Sequence, residues 1–306
     1  MIAVGGEALI DLVIQPDGSV AAKLGGGPFN AARTMARLGS DVAFLGTLSV
    51  DRFGRMLHRQ LVDDDVVTSF GATVELPTTL AAAELDEGGA ASYRFYLEGT
   101  SAPAMSGTTL PPNTRALHCG TLGFVLEPMA TTLESLVASA DDEVLVFVDP
   151  NCRGRVISDR AAYLARLDRV IGRADVVKIS TDDAEYLDPS LTPIAVARRL
   201  RGLGPAVVIL SDGGSATYVV TAAGETRVDV PKITVVDTIG AGDALGGGFL
   251  HWWTSQGFGR ARLADTDLVG AAITAGVTVA ARTCERAGAE PPYRRELPDD
   301  WAPEIS

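Results

Sequence analysis

The sequence predicts an α/β fold, a doubly wound and mostly parallel sheet with helices on both faces, together with a small inserted β-sheet. Three observations predict it. Short runs of β-branched and aliphatic residues recur along the chain, segments of helical periodicity separate them, and two stretches that break this alternation have the pattern of hairpins. We expect a single domain over residues 1–306, because no linker-like Pro, Gly and Ser tract interrupts the chain.

Six apolar runs are predicted as buried strands of the main sheet, because each is short and mostly β-branched or aliphatic. They lie at residues 2–4, 42–45, 116–119, 144–148, 176–179 and 206–210. Helical spacing of apolar residues occurs between them, at residues 30–38, 54–62, 128–139, 161–173, 182–187 and 194–203. Gly39 follows the first of these helices, at the position where glycine commonly ends a helix.

Two predicted hairpins lie outside the alternation. Residues 12–24 turn around Pro16-Asp17-Gly18, and residues 78–97 turn around Glu87-Gly88-Gly89. The second hairpin ends in Ser92-Tyr93-Arg94-Phe95-Tyr96, although only 6% of the chain is aromatic. Residues 12–24 and 78–100 would therefore form either a lid over a functional site or ordinary edge strands, and their spacing alone leaves both interpretations open.

The charge and the cysteine content exclude several classes of protein. A net charge of −13 excludes most nucleic-acid-binding proteins, because phosphate neutralisation requires a basic face. The three cysteines show no Cys-x-x-Cys spacing, so neither a disulfide framework nor a zinc site is expected. No signal peptide is predicted, and the longest apolar run, residues 270–281, is shorter than the roughly 20 residues that cross a bilayer. We therefore expect a cytoplasmic protein with no membrane partner.

The strongest functional signal is a glycine-rich turn that leads into a helix, Asp237-Thr238-Ile239-Gly240-Ala241-Gly242-Asp243, followed by the helical run at residues 245–253. The first N–H groups of a helix have no intrahelical partner and the helix dipole adds positive charge there, so such a turn can bind a phosphate-sized anion. Asp243 lies at the mouth of this helix. Its carboxylate can serve either as a helix cap or as a base.

A second glycine-rich turn, Gly25-Gly26-Gly27-Pro28, also runs into a helix. Three glycines let the backbone approach a ligand closely, and Pro28 suits the first turn of a helix. Asn30 follows and can both donate hydrogen bonds to the hydroxyls of a polyol and accept them. Taken alone, this pattern is equally typical of a tight turn with a capping Asn.

Together the two turns resemble those of the ribokinase-like (PfkB) carbohydrate kinases, and the resemblance covers nearly the whole chain. The residues that carry it are, in order, Gly6-Glu7-Ala8-Leu9-Ile10-Asp11, Gly25-Gly26-x-x-x-Asn30, Gly46, Asp51-x-x-Gly54, Asp149-Pro150-Asn151-Cys152-Arg153, Lys178-Ile179-Ser180, the segment from Asp237 to Asp243, and Gly288-Ala289-x-Pro291. The fold of that family is a doubly wound sheet with a β-lid. The periodicity independently predicts the doubly wound sheet and two hairpins outside it.

The resemblance implies an ATP-dependent kinase that phosphorylates a sugar hydroxyl, with Mg²⁺ as a cofactor; whether a monovalent cation is also used stays open. Asp243 would take the proton from the attacking hydroxyl, and Gly240, Ala241 and Gly242 would present N–H groups to the transferred phosphoryl group. The implied sugar-binding residues are Asp11, Gly26, Gly27, Asn30, Tyr93, Arg94, Tyr96, Asn151 and Arg153. The implied nucleotide-binding residues are Lys178, Ser211, Gly214, Thr238, Gly240 and Gly242.

The sequence departs from the family pattern at the predicted metal site. Many members have Asn-x-x-Glu where this chain has Ser180-Thr181-Asp182-Asp183. We assign the metal to Asp183, because Mg²⁺ keeps much of its hydration shell and a shorter carboxylate can hold it through water. A second departure is Ile239, where many members have Thr, and we expect little effect because backbone N–H groups bind the phosphate.

The predicted substrate is an unphosphorylated sugar. No cluster of cations lies at residues 6–11 or 25–30, and Pro28 stands where ribokinases commonly have Lys. Both features favour the fructokinase-like branch and hence fructose. The alternative is 2-keto-3-deoxygluconate, whose carboxylate can pair with Arg94 or Arg153.

Two further hypotheses concern proteins of other kinds. One is a catalytically silent sugar-binding regulator of the same fold. The presence of Asp243 argues against it, because a protein that only binds sugar needs no base there. A dehydrogenase would require Gly-x-Gly-x-x-Gly after the first strand, and this sequence has no such motif there. Exposed lid strands can also pair between subunits, which makes a homodimer through the lid a prediction.

Overall fold

The computed structural model describes residues 1–86, 88 and 91–303. The strands in this part of the chain are β1 (Ile2–Gly5), β2 (Leu9–Ile14), β3 (Val20–Gly25), β4 (Val42–Phe44), β5 (Leu48–Ser49), β6 (Thr73–Val74), β7 (Leu80–Leu85), β8 (Ala91–Tyr96), β9 (Ala116–Gly120), β10 (Leu145–Asp149), β11 (Val176–Ser180), β12 (Val207–Asp212), β13 (Ala216–Thr221) and β14 (Gly224–Val228). The helices are α1 (Gly27–Leu38), α2 (Arg52–Asp63), α3 (Met129–Ser139), α4 (Arg160–Arg173), α5 (Thr181–Leu187), α6 (Pro193–Arg201), α7 (Ala241–Ser255) and α8 (Thr266–Cys284), with short 3₁₀ turns at Ala102–Ala104, Thr121–Phe124, Arg260–Ala264 and Arg294–Glu296.

The main sheet contains eight strands of the described residues, in the order β14-β13-β12-β11-β10-β9-β1-β4. Six neighbouring strands pair in parallel: β12, β11, β10, β9, β1 and β4. Strands β13 and β14 add an antiparallel edge next to β12. Every strand predicted for the main sheet is present. The edge hairpin of β13 and β14 was not predicted. Strand β14 is mostly exposed and lacks the apolar run of a central strand, whereas most of β13 is buried.

Helices cover both faces of the main sheet, which confirms the doubly wound fold. Side chains alternate along each buried strand, so Ile2 and Val4 belong to one core while Ala3 between them belongs to the other. The first core contains buried residues of α1, α2, α7 and α8, and the second contains those of α3, α4, α5 and α6. Each helix therefore buries its apolar side against the sheet.

A smaller sheet has four strands in the described part of the chain, in the order β3-β2-β7-β8. The hairpin of β2 and β3 turns at Gly18, whose φ of 82° is readily adopted by glycine, and pairs in parallel with β7. The hairpin of β7 and β8 is antiparallel. Of its predicted turn, Glu87 and Gly89 lie outside the described residues. The first hairpin begins at Leu9 rather than at residue 12, so Asp11 lies within a strand.

Among the described residues, no helix combines the length and the apolar character that crossing a bilayer requires.

Candidate active site

A cleft of about 1440 Å³ lies between the smaller sheet and one edge of the main sheet. Its main-sheet wall consists of residues that directly follow parallel strands: Thr121 after β9, Asn151 after β10 and Thr181 after β11. The carboxyl ends of parallel strands all meet at this edge, and open α/β sheets bind their ligands there. The two glycine-rich turns also reach the cleft.

The first turn brings the backbone close to β1 and starts α1. Gly26 has a φ of 109°, and a Cβ at this position would lie 2.6 Å from the carbonyl oxygen of Glu7, so only glycine fits. Gly27 begins α1 with Pro28 in the first turn. This places Asn30 one turn into the helix, where its Nδ2 donates a hydrogen bond to Asp243 Oδ2 at 2.9 Å.

The second turn starts α7 and leaves backbone donors open. Gly240, the residue before the helix, has a φ of 79°, and no side chain caps the helix. Within the described residues, the N–H groups of Gly242 and Asp243 have no hydrogen-bond acceptor. Two free N–H groups at the positive end of a helix of fifteen residues, Ala241–Ser255, form a suitable site for an anion.

Asp243 has the surroundings of a base. Burial raises the pKa of its carboxyl group to about 6, and Asp149 acts in the same direction. The hydrogen bond from Asn30 and the charges of Lys178 and Arg153 oppose this rise. A carboxyl group with a pKa of about 6 is mostly ionised at neutral pH and still accepts a proton more readily than an ordinary aspartate.

Lys178 lies beneath the anion-binding turn. Its ammonium donates to Asp149 Oδ2 at 3.0 Å, and both side chains are buried. Burial disfavours the charged ammonium, but Asp149 and Asp183 outweigh it and hold the pKa of Lys178 above its ordinary value. A Cβ at Gly242 would lie 2.6 Å from Lys178 Nζ. The positive charge therefore lies directly against the turn that would hold a phosphate.

The other end of the cleft carries polar side chains suited to a polyol. Asp11 points from β2 into the cleft, and burial raises the pKa of its carboxyl group to about 6. Asn151 adopts a φ of 39° after β10 and donates from Nδ2 to Thr121 Oγ1 at 3.4 Å. Arg153 also lines the cleft, and no carboxylate in the described part of the chain lies within ion-pair distance of it.

Comparisons with known proteins identify the family of this chain. The family model described as pfkB family carbohydrate kinase matches residues 1–295. The chain belongs to this family. Its mostly parallel sheet, the smaller sheet and the glycine turn before Asp243 are therefore those of a carbohydrate kinase.

Relatives of this kinase include fructokinases. It is 31% identical over 257 residues to a fructokinase from Rhizobium leguminosarum bv. trifolii, an alignment that covers 82% of this chain and 78% of the relative. It is similar to the crystal structure of a fructokinase with bound ATP from Xylella fastidiosa, with 26% identity and a TM-score of 0.85 over 94% of this chain and 93% of the other. An aminoimidazole riboside kinase from Salmonella enterica gives 25% identity and a TM-score of 0.82, with 94% of each chain covered.

Most residues predicted for the site of this kinase line the one cleft. They are Asp11, Gly26, Gly27, Asn30, Tyr93, Asn151, Arg153, Lys178, Ser211, Gly214, Thr238, Gly240, Ala241, Gly242 and Asp243. The tertiary fold thus brings residues from the first and last thirds of the chain to one place.

Arg94 and Tyr96 do not line the cleft, so their predicted place in the sugar site is corrected. Successive side chains of a strand point to opposite faces, and in β8 the cleft side is taken by Tyr93 and Phe95. Arg94 and Tyr96 therefore lie on the other face. Arg155, which was not predicted, donates from Nη1 to the carbonyl oxygen of Tyr93 at 3.3 Å and connects the main sheet to this strand.

Asp183 is buried outside the cleft lining and caps α5. Its Oδ2 accepts from Ser180 N and Ser180 Oγ, both at 2.8 Å, and its Oδ1 accepts from Cys152 N at 2.6 Å. Both carboxylate oxygens thus already accept hydrogen bonds from protein donors, and the metal assignment to Asp183 stays a prediction. The neighbouring Asp182 lines the cleft instead.

Sequence reasoning assigned no role to the cleft residues Glu7 and Thr121, nor to Asp149, which contacts the cleft residue Lys178. Glu7 is 1% exposed and accepts a hydrogen bond from Gly27 N at 3.2 Å. Asp149 partners Lys178, and Thr121 has a φ of 54° at the end of β9. An acidic residue at or just beyond the end of a buried strand is a sequence signal, and it applies to Asp149, the last residue of β10, and to Glu7, two residues after β1. Thr121 carries no such signal, because its backbone conformation depends on the neighbouring strands.

Proposed function

We propose that this kinase transfers the γ-phosphoryl group of ATP to a hydroxyl group of fructose. The observation that carries the proposal is the position of Asp243, a base with a raised pKa directly beside open N–H donors and facing a cleft with polyol-binding side chains. The names of the relatives support the substrate, since a fructokinase with bound ATP has the same fold over 94% of this chain.

The chemistry follows from these positions. Asp243 accepts the proton of the attacking hydroxyl while the sugar oxygen bonds to the γ-phosphorus and the bond to the ADP oxygen breaks. The N–H groups of Gly242 and Asp243 bind the oxygens of the transferred group, and Lys178 adds positive charge beneath them. General-base assistance of this kind typically contributes about 10²–10⁴-fold. Positioning by Asn30 and the two turns contributes the remainder.

The nucleotide would extend from Gly242 along the apolar side of the cleft. Val277, Ala280 and Ala281 of α8 line this side together with Ile233 and Val235. Such side chains can contact the faces of an adenine ring. Ser211 in β12, Gly214 after it and Thr238 before α7 also line the cleft and offer polar atoms. The shape and polarity of this part of the cleft fit ATP.

We propose Mg²⁺ as the metal, held mainly by phosphate oxygens and water. The described residues contain no group of three metal-binding side chains, and Asp183 is occupied by protein donors. Such an arrangement fits Mg²⁺, which in kinases is bound by one or two carboxylates and the substrate phosphates. Asp182 lines the cleft and is available for a water-mediated contact. When bound, the metal neutralises charge on the phosphates. Assays with and without K⁺ decide whether the kinase also needs a monovalent cation.

The sugar preference is tested by ADP release against a panel of ketoses, aldoses, sugar acids and nucleosides. We expect fructose to be the best substrate. Preference for 2-keto-3-deoxygluconate would instead assign Arg153 to its carboxylate, because Arg94 lies outside the cleft. Turnover of no member would contradict the kinase proposal and favour a silent sugar-binding protein.

The matched variants are Asp243→Asn and Asp142→Asn. We expect Asp243→Asn to lower kcat by at least about 10²-fold, because the amide cannot accept the proton. Asp142 has a fully exposed side chain far from the cleft residues, and its variant should keep normal turnover. Equal activity of both variants would contradict the role of Asp243.

We further propose that the smaller sheet is a lid. We also propose that the protein is a cytoplasmic homodimer and that this lid contributes to the dimer interface. The sheet already forms one wall of the cleft, and Val20 and Tyr96 on it are exposed. Closure would exclude water, which otherwise competes with the sugar for the phosphoryl group. Compaction in small-angle scattering with fructose and a non-hydrolysable ATP analogue tests the lid, and sedimentation of wild type and Tyr96→Glu tests the dimer.

A further inference from the structure

Glu7 is a buried carboxyl group whose role the mechanism above leaves open. It follows β1 in the bend that leads to β2, and its side chain is 1% exposed. Oε1 accepts a hydrogen bond from Gly27 N at 3.2 Å. Oε2 is buried and has no hydrogen-bond partner among the described residues. A buried polar oxygen without a partner is uncommon in folded proteins and calls for a physical reason.

The backbone that Glu7 holds lies against the base. A Cβ at Gly27 would be 3.2 Å from Asp243 Oδ1 and 2.5 Å from Thr121 Oγ1. Three residues further along the same helix, Asn30 donates to the other oxygen of Asp243. A shift of the glycine turn would therefore move both the backbone next to Asp243 and Asn30, which donates to Asp243. The hydrogen bond that Gly27 N donates to Glu7 holds this turn in place.

Burial disfavours the ionised form of Glu7, and the charges around it act in both directions. Asp243 of α7 faces it and repels a second negative charge, while Arg153 after β10 and the Gly27 N–H group of α1 favour such a charge. Burial is the largest influence and raises the pKa of Glu7 to about 8. At neutral pH the group is therefore mostly uncharged. This leaves Arg153 and Lys178 to stabilise the negative charge on Asp243.

We propose that Glu7 is a positioning residue: its buried carboxyl group holds the turn of Gly26 and Gly27, and with it Asn30, against the base Asp243. The proposal rests on the proposed kinase function. It adds that a negative charge at Glu7 is incompatible with efficient transfer, because a buried anion beside Asp243 would repel both the base and the incoming phosphates.

The test compares Glu7→Gln, Glu7→Ala and the control Glu143→Gln over pH 5 to 10. Glutamine keeps the acceptor for Gly27 N but cannot ionise, so we expect a few-fold lower kcat and no decline on the alkaline side. Wild type and Glu143→Gln, an exposed residue away from the cleft, should both lose kcat as the pH passes about 8.

Glu7→Ala leaves the turn unsupported and should lower kcat by about 10²-fold while KM for ATP changes little. If Glu7→Gln is as inactive as Glu7→Ala, or if it keeps the alkaline decline of wild type, the proposal is wrong.

A second measurement is independent of catalysis. The ordinary pKa of 4.5 applies to the unfolded chain and a pKa of about 8 to the folded chain, so ionisation increasingly opposes folding as the pH rises between these values. The melting temperature of Glu7→Gln relative to wild type should therefore increase from pH 5 to 8. A difference that does not vary with pH would overturn the proposal. If wild type phosphorylates no sugar, the kinase function fails, and this melting comparison still decides whether Glu7 is uncharged.

Discussion

Asn30 Nδ2 and Asp243 Oδ2 are 2.9 Å apart, although 213 positions separate the two residues in the chain. The contact joins the first turns of α1 and α7, which are the helices that follow the two glycine-rich turns. It orients the carboxylate of Asp243 and leaves its second oxygen beside Gly27. The two glycine-rich turns thus meet at a single carboxylate, that of Asp243.

Removal of the Asn30 amide should impair catalysis through Asp243. The hydrogen bond from Asn30 lowers the pKa of Asp243, so Asn30→Ala should raise that pKa. We expect kcat/KM at pH 7 to fall by about 10- to 100-fold, which is the usual contribution of a hydrogen bond to a charged group. Asn30→Asp should be worse at pH 7, because it puts a second carboxylate beside the base. Steady-state kinetics of both variants provide the check, and equal activities would show that charge at this position is unimportant.

The activity should decline on the acid side near pH 6. Burial raises the pKa of Asp243 and of Asp11 to about 6, and a protonated Asp243 cannot accept the hydroxyl proton. We expect kcat/KM to fall as the pH decreases through about 6. The profile of Asp11→Asn should keep this decline, since Asp243 remains. A profile that is flat down to pH 5 would be inconsistent with Asp243 as the base.

Gly242→Ala should reduce phosphoryl transfer, whereas Gly270→Ala should not. The added Cβ at position 242 would lie 2.6 Å from Lys178 Nζ and force the buried ammonium away from the anion-binding turn. At Gly270, within α8, an added Cβ has no neighbour within 4 Å, so alanine should stabilise the helix by about 0.5–1 kcal/mol. Turnover and thermal melting of the pair distinguish these effects, and normal kcat in Gly242→Ala would refute the close approach.

Asp64→Asn should destabilise the fold. Asp64 accepts from Arg33 Nε at 2.7 Å and from Arg37 Nε at 2.8 Å, and the side chains of Asp64 and Arg33 are 0% and 1% exposed. Loss of one partner in such a buried network typically costs about 3–5 kcal/mol, because the two buried arginines keep their charges and retain only the half-exposed Glu290 as an ionic partner. Urea unfolding measures this loss, with the exposed Asp142→Asn as the control. If Asp64→Asn loses no more free energy of unfolding than Asp142→Asn does, the prediction is wrong.

The same network gives a pH dependence of stability. Burial of Asp64 opposes its ionisation, but Arg37 and Arg33 outweigh this and hold its pKa below the ordinary value. The ionised carboxylate therefore stabilises the folded chain at neutral pH, and this contribution is lost as the pH falls through the lowered pKa. Wild type should lose more stability on acidification than Asp64→Asn does, as urea unfolding at a series of acidic pH values can show.

Central strands and helices could be predicted because their signals are local. The apolar run of β10 and the helical period of α4 reflect residues that must be buried wherever such elements pack on a sheet. The hairpin of β13 and β14 was missed because an exposed edge strand needs no apolar run. Arg94 and Tyr96 were placed in the cleft because the sequence shows an aromatic strand but not which of its faces meets the site.

The sequence by itself determined the fold class and the two glycine-rich turns, since these depend on local periodicity and on backbone freedom that glycine provides. It also predicted Asp243 as the base, through its resemblance to the family. Only the tertiary structure decided which carboxylates serve the site. Asp183 became a cap for α5 and for the backbone at Cys152, while Glu7 became buried behind Gly27. The charge of a carboxyl group and its partners depend on burial and on neighbours from distant segments, and these exist only once the strands of the main sheet are assembled.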